Sequence, residues 1–247
     1  MLGYLRLELR RMARDRRFVF FTIAVPVGFY LLWSTAAGDD AGTEASTGLP
    51  VQLHLMVAMA AFGALGAALT TTGPRLAAEL SSGWLRQLRA TPLSHRTVIF
   101  TKIFASMVLA LPPLILVSLT AALTQDVRLS AAEWTGMIAL MWVATLPFAA
   151  LGTLIGSLAG GDAAQPITVG AYLALSALGG LWMPLDQLPG ALRSVAHWLP
   201  SSRFFQIGWD VAGGHVPAAT AGLVLAGWSA ALGGCAVAAY RRATLSA

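Results

Sequence analysis

Long apolar stretches decide what this chain can fold into. Hydrophobic residues make up 57% of it and charged residues only 11%, whereas charged residues form about a quarter of an ordinary soluble domain. A helix of about 20 apolar residues crosses the hydrocarbon core of a membrane, and only helices or closed barrels can span it. The sequence therefore predicts an all-α integral membrane protein, a single domain over residues 1–247, with six spans at 18–37, 51–73, 97–123, 135–158, 166–184 and 218–239.

The distribution of positive charge predicts the orientation of these spans. Of the 16 lysines and arginines, only Arg128, Arg193 and Arg203 fall in segments that this layout places outside. The predicted outer loop at 38–50 carries acidic residues and no basic one. Because basic loops stay on the cytoplasmic side, both termini are expected in the cytoplasm. The strong preference for arginine over lysine is typical of a GC-rich bacterial genome, so a bacterial plasma membrane is the expected location.

Residues 1–17 predict an amphipathic helix that lies in the cytoplasmic membrane interface. Leu2, Leu5, Leu9 and Met12 recur at helical spacing, and arginines fill the other faces. Such a helix is held by its apolar stripe and by anionic lipid headgroups. A nucleic-acid-binding arm is the alternative, but a basic run before a first span usually only sets topology. Membrane lipids, and no nucleic acid, are therefore the expected partners of this segment.

A polar interruption at residues 74–96 separates the second span from the third and should face the cytoplasm. Gly83 can end a first short helix, and Pro92 stops a second one because the residue before a proline is driven out of helical geometry. Arg86 and Arg89 lie off the apolar face. That face consists of residues that recur every fourth position, Leu76, Leu80, Trp84 and Leu88, with Ala77 and Leu85 beside them. The pattern predicts a short, rigid, amphipathic element that docks on a partner.

Prolines and small residues predict irregular and close-packed points within the spans. Pro26 allows a kink in the first span, and the fourth span contains Pro147. Pro112 and Pro113 predict a bent or broken third helix, because two consecutive backbone donors are missing. The second span carries small residues four apart, at Ala60, Ala64, Gly63 and Ala67. Such pairs let helices approach closely, either within the bundle or between two copies of the chain.

The segment at 185–217 is neither polar enough for a free loop nor apolar enough to span. Leu192, Val195 and Ala196 give a short helical stripe ahead of Pro200, and several aromatic residues follow. Two short helices that dip part way into the outer leaflet satisfy this pattern.

The sequence carries none of the patterns that catalysis in a membrane would need. No HExxH or GxSxG occurs, and Lys102, the one lysine, lacks the glycine-rich approach of a phosphate-binding loop. The acidic residues fall in predicted loops or at span edges, so an ion-coupled carrier would lack its carboxylate. The chain is therefore expected to be no enzyme and to bind no metal or cofactor. Its energy is expected to come from a separate cytoplasmic protein that docks at 74–96.

Two stretches resemble the ABC-2 type permeases, the membrane subunits of bacterial ATP-binding cassette exporters. The pattern Glu79-x-x-x-Gly83-Trp84-x-x-x-Leu88-x-x-x-Pro92 is similar to the loop between spans two and three of that family, which forms the cytoplasmic coupling helix. The outer segment, with Met183-Pro184-Leu185, Leu188-Pro189 and Leu199-Pro200, is similar to the short re-entrant helices that precede the sixth span there. Together with the topology, the resemblance covers essentially the whole chain.

The resemblance implies a mechanism and roles for individual residues. Two permease chains, expected to be a homodimer, would each contact one of two ATPase subunits, which bind ATP and Mg²⁺. Glu79 and Gly83 would shape the elbow of the coupling helix. The ATPase cleft would be filled by Trp84, Leu85 and Leu88, while Arg86 and Arg89 would pair with acidic groups at its rim. Membrane-interface anchoring for Trp84, and a topology signal for the two arginines, are the simpler interpretations of the same residues.

The resemblance also implies a cargo that crosses between the two chains. A pathway without charged residues favours an apolar or amphipathic compound, because dehydrating a charge at depth costs several kcal/mol. Efflux of a drug or antibiotic is therefore expected, with lipid or lipid-linked polysaccharide as the alternative cargo. Candidate wall residues, each of which also suits packing or lipid contact, are Phe29, Trp33, Met56, Met59, Met107 and Met141.

Two functions of other classes stay open at this stage. An intramembrane enzyme that acts on lipid would need polar residues such as His54, Asp162 and His197. A membrane anchor or sensor subunit would bind an ATPase for signalling and would move no cargo.

Overall fold

The computed structural model describes residues 20–38, 42–82, 95–182, 185 and 189–245, and within these residues the regular structure is helical apart from an isolated β-bridge between Thr43 and Pro50. A π-helical turn, Phe20–Ala24, leads into the first helix, and a 3-10 turn, Gly161–Ala163, precedes the sixth. The α-helices are α1 (Val25–Ala37), α2 (Val51–Ser81), α3 (His95–Thr124), α4 (Ala131–Ala144), α5 (Leu146–Leu158), α6 (Ala164–Leu178), α7 (Gly190–Ala196), α8 (Pro200–Ala212) and α9 (Ala219–Leu245). The all-α prediction is confirmed for this part of the chain.

Helix α2 is the centre of the bundle. It packs against α1, α3, α5, α6 and α8, and 78% of its most apolar window is buried, compared with 17% for the N-terminal span and for α9. Its small residues explain this position, because Ala60, Ala64 and Ala67 are all fully buried. The close approach predicted for the second span therefore serves packing inside the bundle. The alternative of dimerisation through these alanines is wrong.

Glycine lets three helices meet at one level of α2. A Cβ on Gly63 would lie 2.6 Å from Pro113 Cβ of α3 and 2.9 Å from Pro26 Cγ of α1. Pro26 and Pro113, two of the prolines at which the sequence predicts irregular points, thus pack on the same glycine. One turn further, a Cβ on Gly66 would lie 3.0 Å from the Tyr172 ring of α6.

The tightest backbone contact joins α2 to α5. A Cβ on Gly152 would lie 2.6 Å from Leu69 O, and a Cβ on Gly156 would overlap Gly73 O. Two helices can run this close where at least one of them has no side chain at the crossing. The C-terminal half of α2 is therefore fixed against α5 over about one helical turn.

The fourth span is interrupted at Thr145, between α4 and α5. Pro147 lacks the amide hydrogen that would reach Val143 O, so the helical ladder stops there. Thr145 fills part of the gap, because its Oγ1 and its N donate to Trp142 O at 2.6 and 3.1 Å. The fourth span is therefore divided into two helices at this point.

The break predicted at Pro112 and Pro113 is absent, and α2 extends past residue 73, the predicted end of the second span. Helix α3 runs without interruption through Pro112 and Pro113, and α2 continues through Pro74 to Ser81. The reason in both cases is tertiary packing, since Pro113 lies on Gly63 and the residues after Pro74 are buried against the bundle. The polar interruption therefore begins after α2 ends, not at Pro74.

In the part of the chain that the structure describes, long apolar helices are found for five of the six predicted spans. The described residues hold five helices long and apolar enough to cross a membrane, at Phe20–Ala37, Val51–Ser81, Thr97–Thr124, Ala131–Leu158 and Ala219–Ala243. Helix α6, within the predicted fifth span, has 15 residues, or about 22 Å of helix against a hydrocarbon core of about 30 Å. It stops early because Gly179 and Gly180 follow, and Gly180 has a φ of 93°.

Two short helices do occupy the predicted outer segment. Pro189 is the N-cap of α7, and Pro200 is the first residue of α8. Helix α8 is amphipathic, and its apolar residues Phe204, Phe205 and Ile207 are buried against the bundle. The predicted N-terminal interfacial helix at 1–17 lies outside the described residues.

The glycine contact between α2 and α5 gives a prediction about stability. Gly156→Ala places a methyl group on the backbone of α2, which cannot move without separating the two helices, so a loss of about 1–3 kcal/mol is expected. Thermal unfolding of the detergent-solubilised protein measures the effect. Gly227→Ala on α9 is the matched control, since its Cβ meets nothing within 4 Å, and it should leave the melting temperature unchanged or slightly raised. Equal melting temperatures for the two variants would contradict this packing.

Candidate functional site

A buried ion pair joins the two helices that flank residues 83–94. Lys102 Nζ of α3 lies 2.7 Å from Glu79 Oε2 of α2, and the two side chains are 2% and 17% exposed. Glu79 sits in the last turn of α2, and Lys102 is two turns inside α3. The pair therefore spans the gap between the end of one helix and the start of the next.

Packing around Glu79 fixes the end of α2. Leu76 and Ala77 are buried, and Leu80 is half-buried against the core. On the α3 side, Val98, Ile99 and Ile103 are buried around Lys102. The first half of the apolar face predicted for 74–96 thus packs into the chain itself, and only residues from 83 onward are left to dock on a partner.

The energetics of this pair make it a strong constraint on geometry. Removing two charges from water is costly, and a buried pair is stable only with close contact between its members. If either partner moves away, the other is left as an uncompensated charge, which typically costs about 3–5 kcal/mol. Helices α2 and α3 are therefore expected to move together at this end of the bundle.

The remaining coupling residues lie outside the described residues. These are Gly83, Trp84, Leu85, Arg86, Leu88, Arg89 and Pro92. Their roles stay predictions. Helix α2 ends at Ser81, next to Gly83, and α3 begins at His95, shortly after Pro92.

The candidate wall residues fall in two environments. Met56, Met59, Met107 and Met141 are buried inside the chain, and Met141 Sδ lies 2.9 Å from the position of a Cβ on Gly208. Phe29 is half-buried against the same core, whereas Trp33 is 51% exposed. The four methionines thus belong to the packed core of a single chain.

A cavity of about 520 Å³ lies between α1, α2 and α6. None of the six candidate wall residues lines it. Its wall is largely apolar and contains Pro26, Gly66 and Tyr172, with Arg75 toward the end of α2. The Tyr172 hydroxyl donates to Phe62 O at 3.2 Å, which orients the ring across the cavity. Sequence patterns missed this space because it arises where Gly63 and Gly66 leave the surface of α2 without side chains.

A second, polar cavity lies at the opposite end of α2. It measures about 360 Å³ and is formed by the loop before α2, the turn after α6, His197, helix α8 and His215. Arg203, Gln206 and Asp210 of α8 line it. Burial raises the pKa of the Asp210 carboxyl, and the neighbouring His215 acts in the opposite direction. Of the prolines predicted to mark this region, Pro189 and Pro200 start helices, whereas Pro184 lies outside the described residues.

The polar residues that a lipid-acting enzyme would need do not form a reactive group. His54 Nδ1 lies 3.0 Å from Thr47 Oγ1, and its ring stacks on Trp209. Asp162 is exposed in the 3-10 turn that follows α5. Among the described residues there is also no group of three or more histidine, cysteine or acidic side chains that could hold a metal ion.

This architecture defines a helical, multi-pass membrane protein. The sequence pattern of the ABC-2 type transporter family matches residues 4–208, so the chain belongs to that family. It is 29% identical over 212 residues to the protein named Putative transport permease YvfS of Bacillus subtilis (strain 168), a match that covers 85% of this chain and 84% of the relative. Membership of the family confirms the resemblance drawn from the two loop patterns, and it implies an ATP-binding cassette partner.

Lys102 is a candidate site residue that the sequence did not assign. It counted there as a basic residue at the edge of the cytoplasmic loop, but it is buried within α3. A lysine inside an apolar helix, seven residues from its start, is itself a signal for a buried acidic partner. Glu79 was the only acidic residue of the adjoining segment 74–96.

The ion pair gives a prediction about stability. Glu79→Gln and Lys102→Gln each leave one buried charge without its counter-charge, so each should lower the stability by about 3–5 kcal/mol. The double variant Glu79→Gln/Lys102→Gln should recover part of this loss, which a double-mutant cycle on thermal unfolding measures.

The control for this cycle is Asp126→Asn, which breaks the ion pair between Asp126 and Arg128. Both of those side chains are more than three-quarters exposed, so little change is expected. Strictly additive losses in the Glu79/Lys102 cycle would show that the two residues do not interact.

Proposed function

We propose that this chain is the permease subunit of an ATP-binding cassette exporter. In the assembled complex, two copies of the chain pair with two cytoplasmic ATPase subunits, and ATP with Mg²⁺ is hydrolysed by the partner and not by this chain. The six-span topology and the cytoplasmic position of both termini belong to the same proposal. Membership of the ABC-2 type transporter family supports it.

The observation that carries the mechanism is the ion pair between Glu79 and Lys102. A motor that pulls on residues 83–94 can move the membrane helices only if that segment is anchored at both of its ends. The pair connects the helix on one side of the segment to the helix on the other at 2.7 Å. Force applied to Trp84, Leu85 and Leu88 would thus reach α2 and α3 together.

Helix α2 then distributes this force through the bundle. It contacts α5 through Gly152 and Gly156, and it contacts α1 and α3 through Gly63. Close-packed helices transmit displacement because their interior has little free volume to absorb it. A movement of the end of α2 would reach the walls of the cavity between α1, α2 and α6.

A hydrophobic or amphipathic compound is the proposed cargo, with drug or antibiotic efflux as the function. The lining of the larger cavity supports this, since it contains no acidic residue among those described. Lipid, or a lipid-linked polysaccharide, is the second candidate. Arg75 favours it, because this residue puts one cationic side chain into a wall that holds no acidic residue among those described.

The coupling role of the loop predicts the effect of two substitutions. Trp84→Ala and Leu88→Asp should leave membrane insertion intact and should abolish stimulation of the partner ATPase, because both remove the apolar contact that fills its cleft. Co-purification with a co-expressed ATP-binding cassette ATPase, followed by vanadate-sensitive hydrolysis in proteoliposomes, measures the effect.

Trp198→Ala is the matched control for these variants. Trp198 is a tryptophan at the opposite end of the bundle, and it is 70% exposed. Unchanged coupling in Trp84→Ala and Leu88→Asp would contradict the proposed role of the loop. In the same vesicles, movement of an apolar dye or of a fluorescent lipid distinguishes the two cargoes, and hydrolysis without movement of either would indicate a sensor subunit.

A further inference from the structure

The polar cavity beside α8 has the construction of a binding site. Its lining brings together the loop before α2, the turn after α6 and one face of α8. It lies near the first turn of α2, and about 40 Å of helix separates that turn from Glu79. The cavity is therefore remote from the coupling segment. At about 360 Å³ it is large enough for a small polar group.

Arg203 supplies an unsatisfied cation to this cavity. Its Nη1 donates to Gln206 Oε1 at 2.8 Å, but its Nε is buried and has no hydrogen-bond partner in the described part of the chain. A guanidinium has five N–H donors and never loses its charge in a protein. A buried charged donor without an acceptor is costly, so such a group favours an anionic ligand that supplies the acceptor.

Two parts of the cavity wall are held in place by contacts within the chain. Trp209 stacks on the His54 ring, with the ring centres 4.7 Å apart, and its Nε1 donates to His54 O at 3.3 Å. Ser202 Oγ donates to Ala196 O and Leu199 O at 2.6 and 3.0 Å, which fixes the start of α8 against the end of α7. The cavity thus needs little rearrangement to bind a ligand.

The one acidic residue of the described lining lies at the other end of the cavity. Asp210 is two turns of α8 away from Arg203, or about 10 Å along the helix axis. His215 follows it, and the two groups interact electrostatically. The end of the cavity near Arg203 is also the N-terminal end of α8, where the helix dipole adds positive potential. An anion is therefore favoured at that end.

We propose that this cavity binds a phosphate group, with Arg203 as its principal ligand and Gln206 holding the guanidinium in place. Phosphate is the abundant anionic group at the ends of membrane-spanning helices, and the fork of donors on an arginine matches its oxygens. The group is either the headgroup of a membrane amphiphile or free phosphate. The proposal goes beyond transport itself, since it involves neither the ATPase nor the coupling segment.

Binding to the purified full-length chain in a neutral detergent tests this site. The two probes are inorganic phosphate and dihexanoyl phosphatidylglycerol, and the fluorescence of the tryptophans, which include Trp209 in the wall, reports occupancy. Saturable binding of at least one probe is expected. Arg203→Gln should weaken it about tenfold or more, the loss expected for a charge-assisted hydrogen bond. Arg128→Gln, which alters an exposed arginine on another loop, should bind as the unmodified chain does.

The arms of this experiment separate the sources of the phosphate. If both probes bind and both depend on Arg203, free phosphate is sufficient for binding at this site. If only the lipid binds, the ligand is the headgroup of a membrane amphiphile. Arg203→Lys keeps the charge but lacks the Nε donor, so it should weaken binding even if Arg203→Gln fails to fold. Absence of saturable binding, wild-type affinity in Arg203→Lys, or equally tight binding of uncharged dihexanoylglycerol would overturn the proposal.

Discussion

The buried pair of Glu79 and Lys102 is the interaction on which the rest of this structure depends. In an apolar helical bundle, a charge has few alternatives to its partner, because water is distant and the surrounding side chains are hydrocarbon. At 2.7 Å the pair fixes the distance between the end of α2 and the first turns of α3. The segment between them is thus held at both ends, whatever its own conformation.

Close packing around α2 gives this constraint a mechanical consequence. Glycines let α5 touch the backbone of α2, and Gly63 accepts prolines from α1 and α3. A helix surrounded in this way cannot shift alone. The two ends of the bundle differ. At one end, the ion pair of Glu79 and Lys102 joins the helices that flank residues 83–94, and the polar cavity beside α8 lies at the other end.

Much of this fold could be predicted from residues read one segment at a time. The apolar spans and the two short helices started by Pro189 and Pro200 follow from local pattern, and so does the break near Pro147. The predictions of helix ends that failed concern helices whose course depends on packing partners distant in the sequence. Helix α3 continues through Pro112 and Pro113 because it packs against α2. Helix α2 continues beyond Pro74 because Leu76 is buried in the core.

Among the candidate site residues, too, local pattern predicted some features, and contacts between distant residues determined the others. Glu79 was predicted to shape the elbow of the loop, and that role stays a prediction. Its pairing with Lys102 was not predicted, because the lysine was interpreted only as a topology signal although its place inside an apolar helix pointed to an acidic partner. The cavities were missed for a different reason. They form where glycines on one helix face side chains on another, as at Gly66 and Tyr172. The four candidate methionines lie in the packed core, where methionine side chains fill irregular gaps, and their place in a pathway stays a prediction.

The central claim is that the segment after Ser81 is anchored to the bundle on the side of the membrane where ATP is available. Labelling of Gly83→Cys with a membrane-impermeant maleimide, in a Cys235→Ala background, tests it most directly, because Cys235 is the only native cysteine. The account predicts labelling in inverted membrane vesicles and none in intact cells. Labelling in intact cells would place the segment outside, where no ATPase could drive it, and would contradict the account.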